Sequence, residues 1–221
     1  MAALTPTTED YLQAIDALRV EVGDVRAARL AERLRVSPAS VSQTLDRMGK
    51  QDLVTVDAAH HISLTGSGTQ AADSINRRHR LTERFLVDML GLDWVSAHAE
   101  AHRLEHAISD RVEARLSAVL GDPATCPHGA PIPGNFPAGA DTDWTQMSTL
   151  RVGDEGEIAR ISEAIEDDTA LLEYCDQKNL KPDTRFRVLE LGPDGVYLIG
   201  TDGGDVVVSA QLSSHISCLR A

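Results

Sequence analysis

Apolar residues recur at Leu12, Ile15, Leu18 and Val22, the three-and-four spacing of a helix face, and the run stops at Gly23. Thr7 and Asp10 fit a variant capping box at its start. A short second helix follows in "VRAARLAERL", "RVS" makes a tight turn, and Ser37 caps a third helix, "SPASVSQTLDRMGKQDLV", with Pro38 at the favoured first position. Leu30, Leu34, Val36, Val41, Leu45 and Met48 supply the apolar contacts. The pattern then switches to β-branched runs in "LVTVDAAHHISLT", a two-stranded wing meeting around Asp57 to His60. One long helix is expected over "TGSGTQAADSINRRHRLTERFLVDMLG", with Gly91 as its stop, and an amphipathic helix carries "HAEAHRLEH" at 98–106.

Beyond residue 120 the helical period disappears. Residues 121–140 hold five prolines and four glycines, which removes backbone donors and reads as an extended linker. "RFRVLEL", "GVYLIG" and "DVVVSA" then form short β-type runs separated by Gly-Pro-Asp-Gly and Asp-Gly-Gly turns, a small β-barrel in outline. The expected fold is mainly α with small β: a winged helix-turn-helix over residues 1–73, a helical domain over 74–121, a linker over 122–146 and a barrel over 147–221.

Length and composition agree with a folded, multi-domain chain, since 221 residues with 42% apolar content can bury a proper core. There is no signal-type N-terminus and no apolar run of the roughly 18 residues a membrane span requires, so a cytoplasmic protein without a membrane partner is expected. Cys126, Cys175 and Cys218 are odd in number and far apart, which points to spare or buried thiols rather than a disulfide framework. The net charge of −13 looks hostile to nucleic acid, but it is unevenly placed. Residues 1–75 carry seven Lys and Arg against ten Asp and Glu, 76–121 seven against seven, and 122–221 seven against seventeen. A DNA-binding front end is therefore not excluded.

The third helix has the chemistry of a groove reader. Ser37, Pro38 and Ala39 begin it, and Ser40, Ser42, Gln43, Arg47 and Lys50 occupy its more polar positions. Hydroxyls and amides donate and accept toward base edges, while Arg47 and Lys50 can reach phosphates. A solvated helix of any α-rich domain is the alternative.

The histidines and carboxylates of the next two helices point to metal. His79 and Glu83 stand at i and i+4, and His98, His102, Glu105 and His106 at i, i+4, i+7 and i+8, a stripe about 60° wide on a helix. Glu100 points away from it. A charge-paired surface calls for Lys or Arg rather than four imidazoles, so metal binding is the better reading. "HRLEH" also matches the inverted zinc-peptidase signature H-x-x-E-H, but Glu105 shares the histidines' stripe and would be a ligand, leaving no obvious base. A winged-helix regulator with a structural histidine cluster, or one answering to an organic ligand, is the other alternative.

The chain resembles the DtxR/MntR family of metal-dependent transcriptional repressors through "TTEDYLQAI", "RLAERLRVSPASVSQTLDRM", "LVTV", "LTGSG", "RRHRLTERFLVDMLGLDW", "AHAEAHRLEHAISDRVEARL" and "PHGAPIPG". The resemblance implies a winged-helix DNA-binding domain, a helical dimerisation domain with two metal sites per subunit, and a C-terminal SH3-like or FeoA-like barrel. By position it implies an ancillary site of His79, Glu83 and His98, with Glu166 of "IEDD" as a barrel ligand, and a primary site of Asp10, His102, Glu105 and His106. Iron-sensing members carry Met where this chain has Asp10 and Cys where it has His102, while manganese sensors usually have Glu at the latter position. The all-oxygen and nitrogen donor set suits Mn²⁺, with Fe²⁺ the alternative. The implied function is a manganese-activated repressor of metal-uptake genes that binds a palindromic operator as a homodimer. The ion would set the separation of two recognition helices to half-sites about 34 Å apart, a shift requiring up to about 5.5 kcal/mol of state preference. Because imidazoles must be neutral to coordinate, the response is expected to fade below about pH 6.5.

Overall fold

A computed structural model describes residues 4–137, 144–165 and 168–220. They divide into two compact units, Met1–His79 with Glu105–Ile108, and Arg80–Leu104 with Ser109–Ala221.

The first unit opens with α1 (Pro6–Val22), whose cap is Thr5 rather than the expected Thr7: the Thr5 side chain accepts from the Thr8 N–H at 3.3 Å. Pro6 sits in the first turn, where its fixed φ starts the helix two residues upstream of the position a capping box alone would choose. Gly23, at φ 70°, ends it. α2 (Ala27–Arg33) and α3 (Pro38–Lys50) make the helix-turn-helix, and Ser37 caps α3 as expected. β1 (Val54–Val56) pairs antiparallel with β2 (Ile62–Leu64), Thr55 opposite Ser63. The Asp57 carboxylate accepts from the N–H groups of Ala59 and His61 at 2.8 and 2.9 Å, which closes the wing's turn.

Leu12, Ile15, Leu30, Val41, Met48, Leu53 and Ile62 form the core of this unit, but Val36, expected among them, is 37% exposed. Val36 lies just outside α2 and α3, so no helical period turns it inward. α4 (Gly66–Asp88) begins in close backbone contact with the wing's base: a Cβ at Gly68 would fall 1.9 Å from the Leu53 carbonyl oxygen. The boundary between the two units falls within α4, after His79.

The second unit contains the rest of α4, α5 (Trp94–Leu104), α6 (Asp110–Val119) and a six-stranded antiparallel sheet. Its strands are β3 (Thr145–Gln146), β4 (Glu155–Ile161), β5 (Arg185–Leu191), β6 (Tyr197–Thr201), β7 (Gly204–Val208) and β8 (Ile216–Arg220), in the order β3-β8-β4-β5-β6-β7. α7 (Thr169–Gln177) contributes Leu172 and Cys175 to a core shared with Ile158, Ile161, Val188, Ile199, Val208 and Ile216.

The Pro/Gly-rich stretch is not the extended linker its composition suggests, as far as residue 137. Thr125 bridges Pro131, Cys126 N–H donates to the Ala130 carbonyl at 2.9 Å, and Ile132 N–H to that of Ala124 at 2.8 Å. The Ile161 N–H of β4 donates to the His128 carbonyl at 2.9 Å. Cys126, His128, Ala130 and Ile132 are at most 1% exposed. The prolines shape a tight, buried double turn; the backbone donors of Cys126, Gly129 and Ile132 are placed on partners that composition alone cannot specify. Gly129 is required there: its φ is +86°, and a Cβ would lie 2.2 Å from the Ala159 carbonyl oxygen.

Candidate metal centres and nucleic-acid interface

The expected single helical stripe through residue 106 is broken. α5 stops at Leu104, and Glu105–Ala107 form a 3₁₀ turn that belongs to the first unit, whereas His98 and His102 belong to the second. The reason is tertiary. Glu105 is fully buried and accepts from Gln13 Nε2 of α1 at 3.3 Å and from His79 Nδ1 at 2.5 Å. These charge-assisted bonds hold the turn in a tighter winding than an α-helix.

On α1, one turn from the Thr5 cap, Asp10 joins Glu105 and His106, and one donor atom from each lies within 4.8 Å of the others. His106 Nε2 is 3.1 Å from Asp10 Oδ1 and 3.5 Å from Glu105 Oε1. Its other nitrogen, Nδ1, donates to Glu9 Oε2 at 2.7 Å. That bond selects the tautomer whose Nε2 lone pair faces the two carboxylates. Lone pairs converging in this way suit a cation: neighbouring donors of an octahedral ion with bonds of about 2.1 Å lie about 3 Å apart. Glu9 and Gln13 were missed in the sequence. Their only signal is position, beside Asp10 and one helical turn after Glu9.

In the second unit Glu83 is 1% exposed, and its Oε1 accepts from His98 Nδ1 at 2.9 Å. Its Oε2 lies 3.6 Å from His128 Nδ1, a residue that helical spacing does not bring near Glu83 because it lies in the double turn. Arg80, also in α4, pairs with Glu163 and donates to the Pro131 carbonyl at 2.6 Å. Glu166, the expected barrel ligand, lies outside the described residues.

On α3, Val41, Thr44, Leu45 and Met48 are buried, whereas Ser40, Ser42, Gln43, Arg47 and Lys50 are exposed, together with Ser37, Pro38 and Ala39 before and at its first turn. The inward period-3.6 stripe leaves a polar outer face, as a groove-reading helix requires. Near the wing, Arg26 donates to the Asp24 carboxylate, with His61 Nε2 3.2 Å from it, and the Arg26 guanidinium holds that carboxyl below the usual carboxylate range.

All three cysteines are buried and none is in a disulfide. Burial pushes the thiols of Cys175 and Cys218 up to about 12, so both stay protonated at neutral pH. Among the described residues no helix is long and apolar enough to cross a membrane.

Residues 3–62 match the iron dependent repressor N-terminal DNA binding domain, residues 65–134 the iron dependent repressor metal binding and dimerisation domain, and residues 145–219 the FeoA domain. The chain is 37% identical over 224 residues to the iron-dependent repressor IdeR of Mycobacterium leprae (strain TN), covering 97% of each. It is 34% identical to the diphtheria toxin repressor of Corynebacterium diphtheriae, covering 98% of each. Among solved structures, a manganese-dependent transcriptional repressor in complex with manganese superimposes with a TM-score of 0.86 at 38% identity, over 97% of this chain and 100% of that one. The manganese regulator SloR superimposes with a TM-score of 0.78 at 31% identity, over 99% and 100%.

Proposed function

The chain belongs to the iron-dependent repressor family of metal-dependent DNA-binding transcriptional repressors, and from that premise we propose that Mn²⁺ is the ion it answers to, with Fe²⁺ the alternative. The observation that carries this reading is the donor set of the first unit: the Asp10 and Glu105 carboxylates and the His106 Nε2, with no sulfur among them. Oxygen and imidazole nitrogen are what a hard-to-borderline ion prefers, whereas thioether and thiolate favour softer ones. Chain spacing and the family resemblance add His102 to this set, and group His79, Glu83 and His98, with Glu166, as a second site.

When bound, the ion supplies positive charge that neutralises the converging carboxylates. The chain's own residues do the rest. Glu9 orients the His106 ring, Gln13 and His79 hold the buried Glu105 carboxylate, and α1 ties these groups to the helix-turn-helix. A turn held against α1 in this way would let these residues couple an ion at Asp10, Glu105 and His106 to the position of the helix-turn-helix.

The rest of the reading is a homodimer on a palindromic operator upstream of metal-uptake genes, acting in the cytoplasm. Exposed apolar residues of the second unit support the dimer: Met89, Leu90, Leu104, Val112 and Val119 are 43–60% exposed, and Ser117 is the only buried residue of α6. A peptidase role for "HRLEH" is disfavoured because Glu105 is engaged by His79 and Gln13 rather than open to a water.

The test is fluorescence anisotropy on upstream DNA with Mn²⁺, Fe²⁺, Zn²⁺ or chelator in parallel. Tight binding is expected with Mn²⁺ at lower concentration than with the others, and not with chelator. Equal binding with chelator overturns the metal dependence, and a lower midpoint for Fe²⁺ overturns the choice of ion.

A further inference from the structure

The wing carries two carboxylates, Asp52 and Asp57, and no Lys or Arg between residues 51 and 65, so its own charges do not draw it onto a phosphate backbone. Its base is held by packing. Val25 and Ile62 are 3% and 4% exposed, and the Ile62 N–H donates to the Val25 carbonyl at 3.0 Å. The tip has no such packing: Asp57, Ala58, Ala59 and His60 are all exposed, with no side chain larger than a methyl group to bury among the apolar ones.

Arg26, the N-cap of α2, reaches the tip instead. Its Nη1 donates to the Ala59 carbonyl at 2.8 Å, its Nη2 to His61 Nε2 at 2.5 Å, and its Nε to the Asp24 carboxylate at 2.9 Å. A guanidinium cannot accept, so His61 Nε2 carries the lone pair and the ring proton sits on Nδ1, 3.4 Å from Asp57 Oδ2. One planar fork thus joins the entry to α2 with groups 33 and 35 residues further along the chain.

We propose that Arg26 is a wing-positioning residue for DNA binding: it fixes the hairpin tip beside the start of α2, and so sets where the wing meets the duplex relative to α3. The inference rests on the DNA-binding reading and adds a determinant of register to it. Because its nitrogens are spent on Ala59, His61 and Asp24, Arg26 acts through the wing rather than as a phosphate ligand, and its charge offsets the Asp24 and Asp57 carboxylates that would repel phosphate. Lysine cannot replace it, since one ammonium lacks the rigid fork that spans separate acceptors.

Two measurements on the full-length protein test this. Hydrogen exchange without DNA reads the clamp: Arg26→Ala is expected to speed exchange of the segment 57–62 by at least about tenfold, the loss of a charge-assisted hydrogen bond, and to leave α3 unchanged. Hydroxyl-radical footprinting on upstream DNA, with the ion that gives the wild type its tightest binding, reads the consequence: Arg26→Ala loses the outer protected positions of each half-site and keeps those under α3. Arg26→Lys behaves like Arg26→Ala in both. Exchange at 57–62 within twofold of wild type, a footprint of unchanged length that weakens uniformly, or rescue by Arg26→Lys overturns the proposal. Exchange needs neither ion nor DNA, so a failed clamp and a failed repressor reading give different results.

Discussion

Glu9→Ala isolates how much of the metal response depends on holding one imidazole in place. Glu9 is not a proposed ligand; it accepts from His106 Nδ1 at 2.7 Å, and the two side chains are 14% and 17% exposed. A hydrogen bond to a charged group contributes about 1.5–3 kcal/mol, and this one is shielded enough for the lower half of that range to apply in full. At 1.4 kcal/mol per tenfold, its loss weakens Mn²⁺ affinity by about 10–40-fold, inside the range measured for loss of ligand-orienting carboxylates. Isothermal titration with Mn²⁺ at pH 7.5 measures this, and Glu9→Gln, which keeps an acceptor without the charge, should fall between. Thermal unfolding without metal serves as a control, since Glu9 also lies in the first turn of α1, where an acidic side chain favours the helix by under about 1 kcal/mol. If Glu9→Ala binds Mn²⁺ within twofold of wild type, His106 is not positioned this way and the first-unit site is misassigned.

Two further outcomes are expected. Arg47→Ala and Lys50→Ala, on the exposed face of α3, should weaken binding to specific and unrelated DNA alike and each lower the slope of log affinity against log salt by about 1, whereas Gln43→Ala should cost about 1–3 kcal/mol on the preferred sequence; salt-series anisotropy separates the two, and a sequence-selective loss in Arg47→Ala refutes the phosphate role. Burial lowers the pKa of His215 below its ordinary 6.5, so the neutral ring's contribution to stability is complete above pH 6.5 and is lost as pH falls, because the unfolded chain takes up the proton first. Urea unfolding followed by the fluorescence of Trp94 and Trp144 between pH 7.5 and 5.5 should show a decline that His215→Gln reduces, and an unchanged slope excludes His215 as its source.

Local patterns were sufficient wherever one element's chemistry is complete within itself. Ser37 and Pro38 begin α3, its outer face is polar, the wing turns at Asp57–His60, and β5, β6 and β7 follow their apolar runs, because caps, periods and turns act over a few residues. The strands β4 and β8 were not legible: each pairs with partners far along the chain, and the register of β4 shifts at a bulge between Ile158 and Arg160. The same division runs through the chemistry. Spacing exposed His79, Glu83, His98, His102, Glu105 and His106 as a group, and the family resemblance added Asp10.

Only the folded chain decided how these donors are used. Glu105 leaves the helical stripe for a 3₁₀ turn because Gln13, 92 residues earlier, and His79 hold its buried carboxylate. Glu9 gains a role only by meeting His106, 97 residues away, and His128 meets Glu83 only once "CPHG" turns back onto β4. Short-range spacing is set by backbone geometry and is therefore written in the chain. Which distant side chain satisfies a buried charge is set by packing, and a linear pattern carries no trace of it.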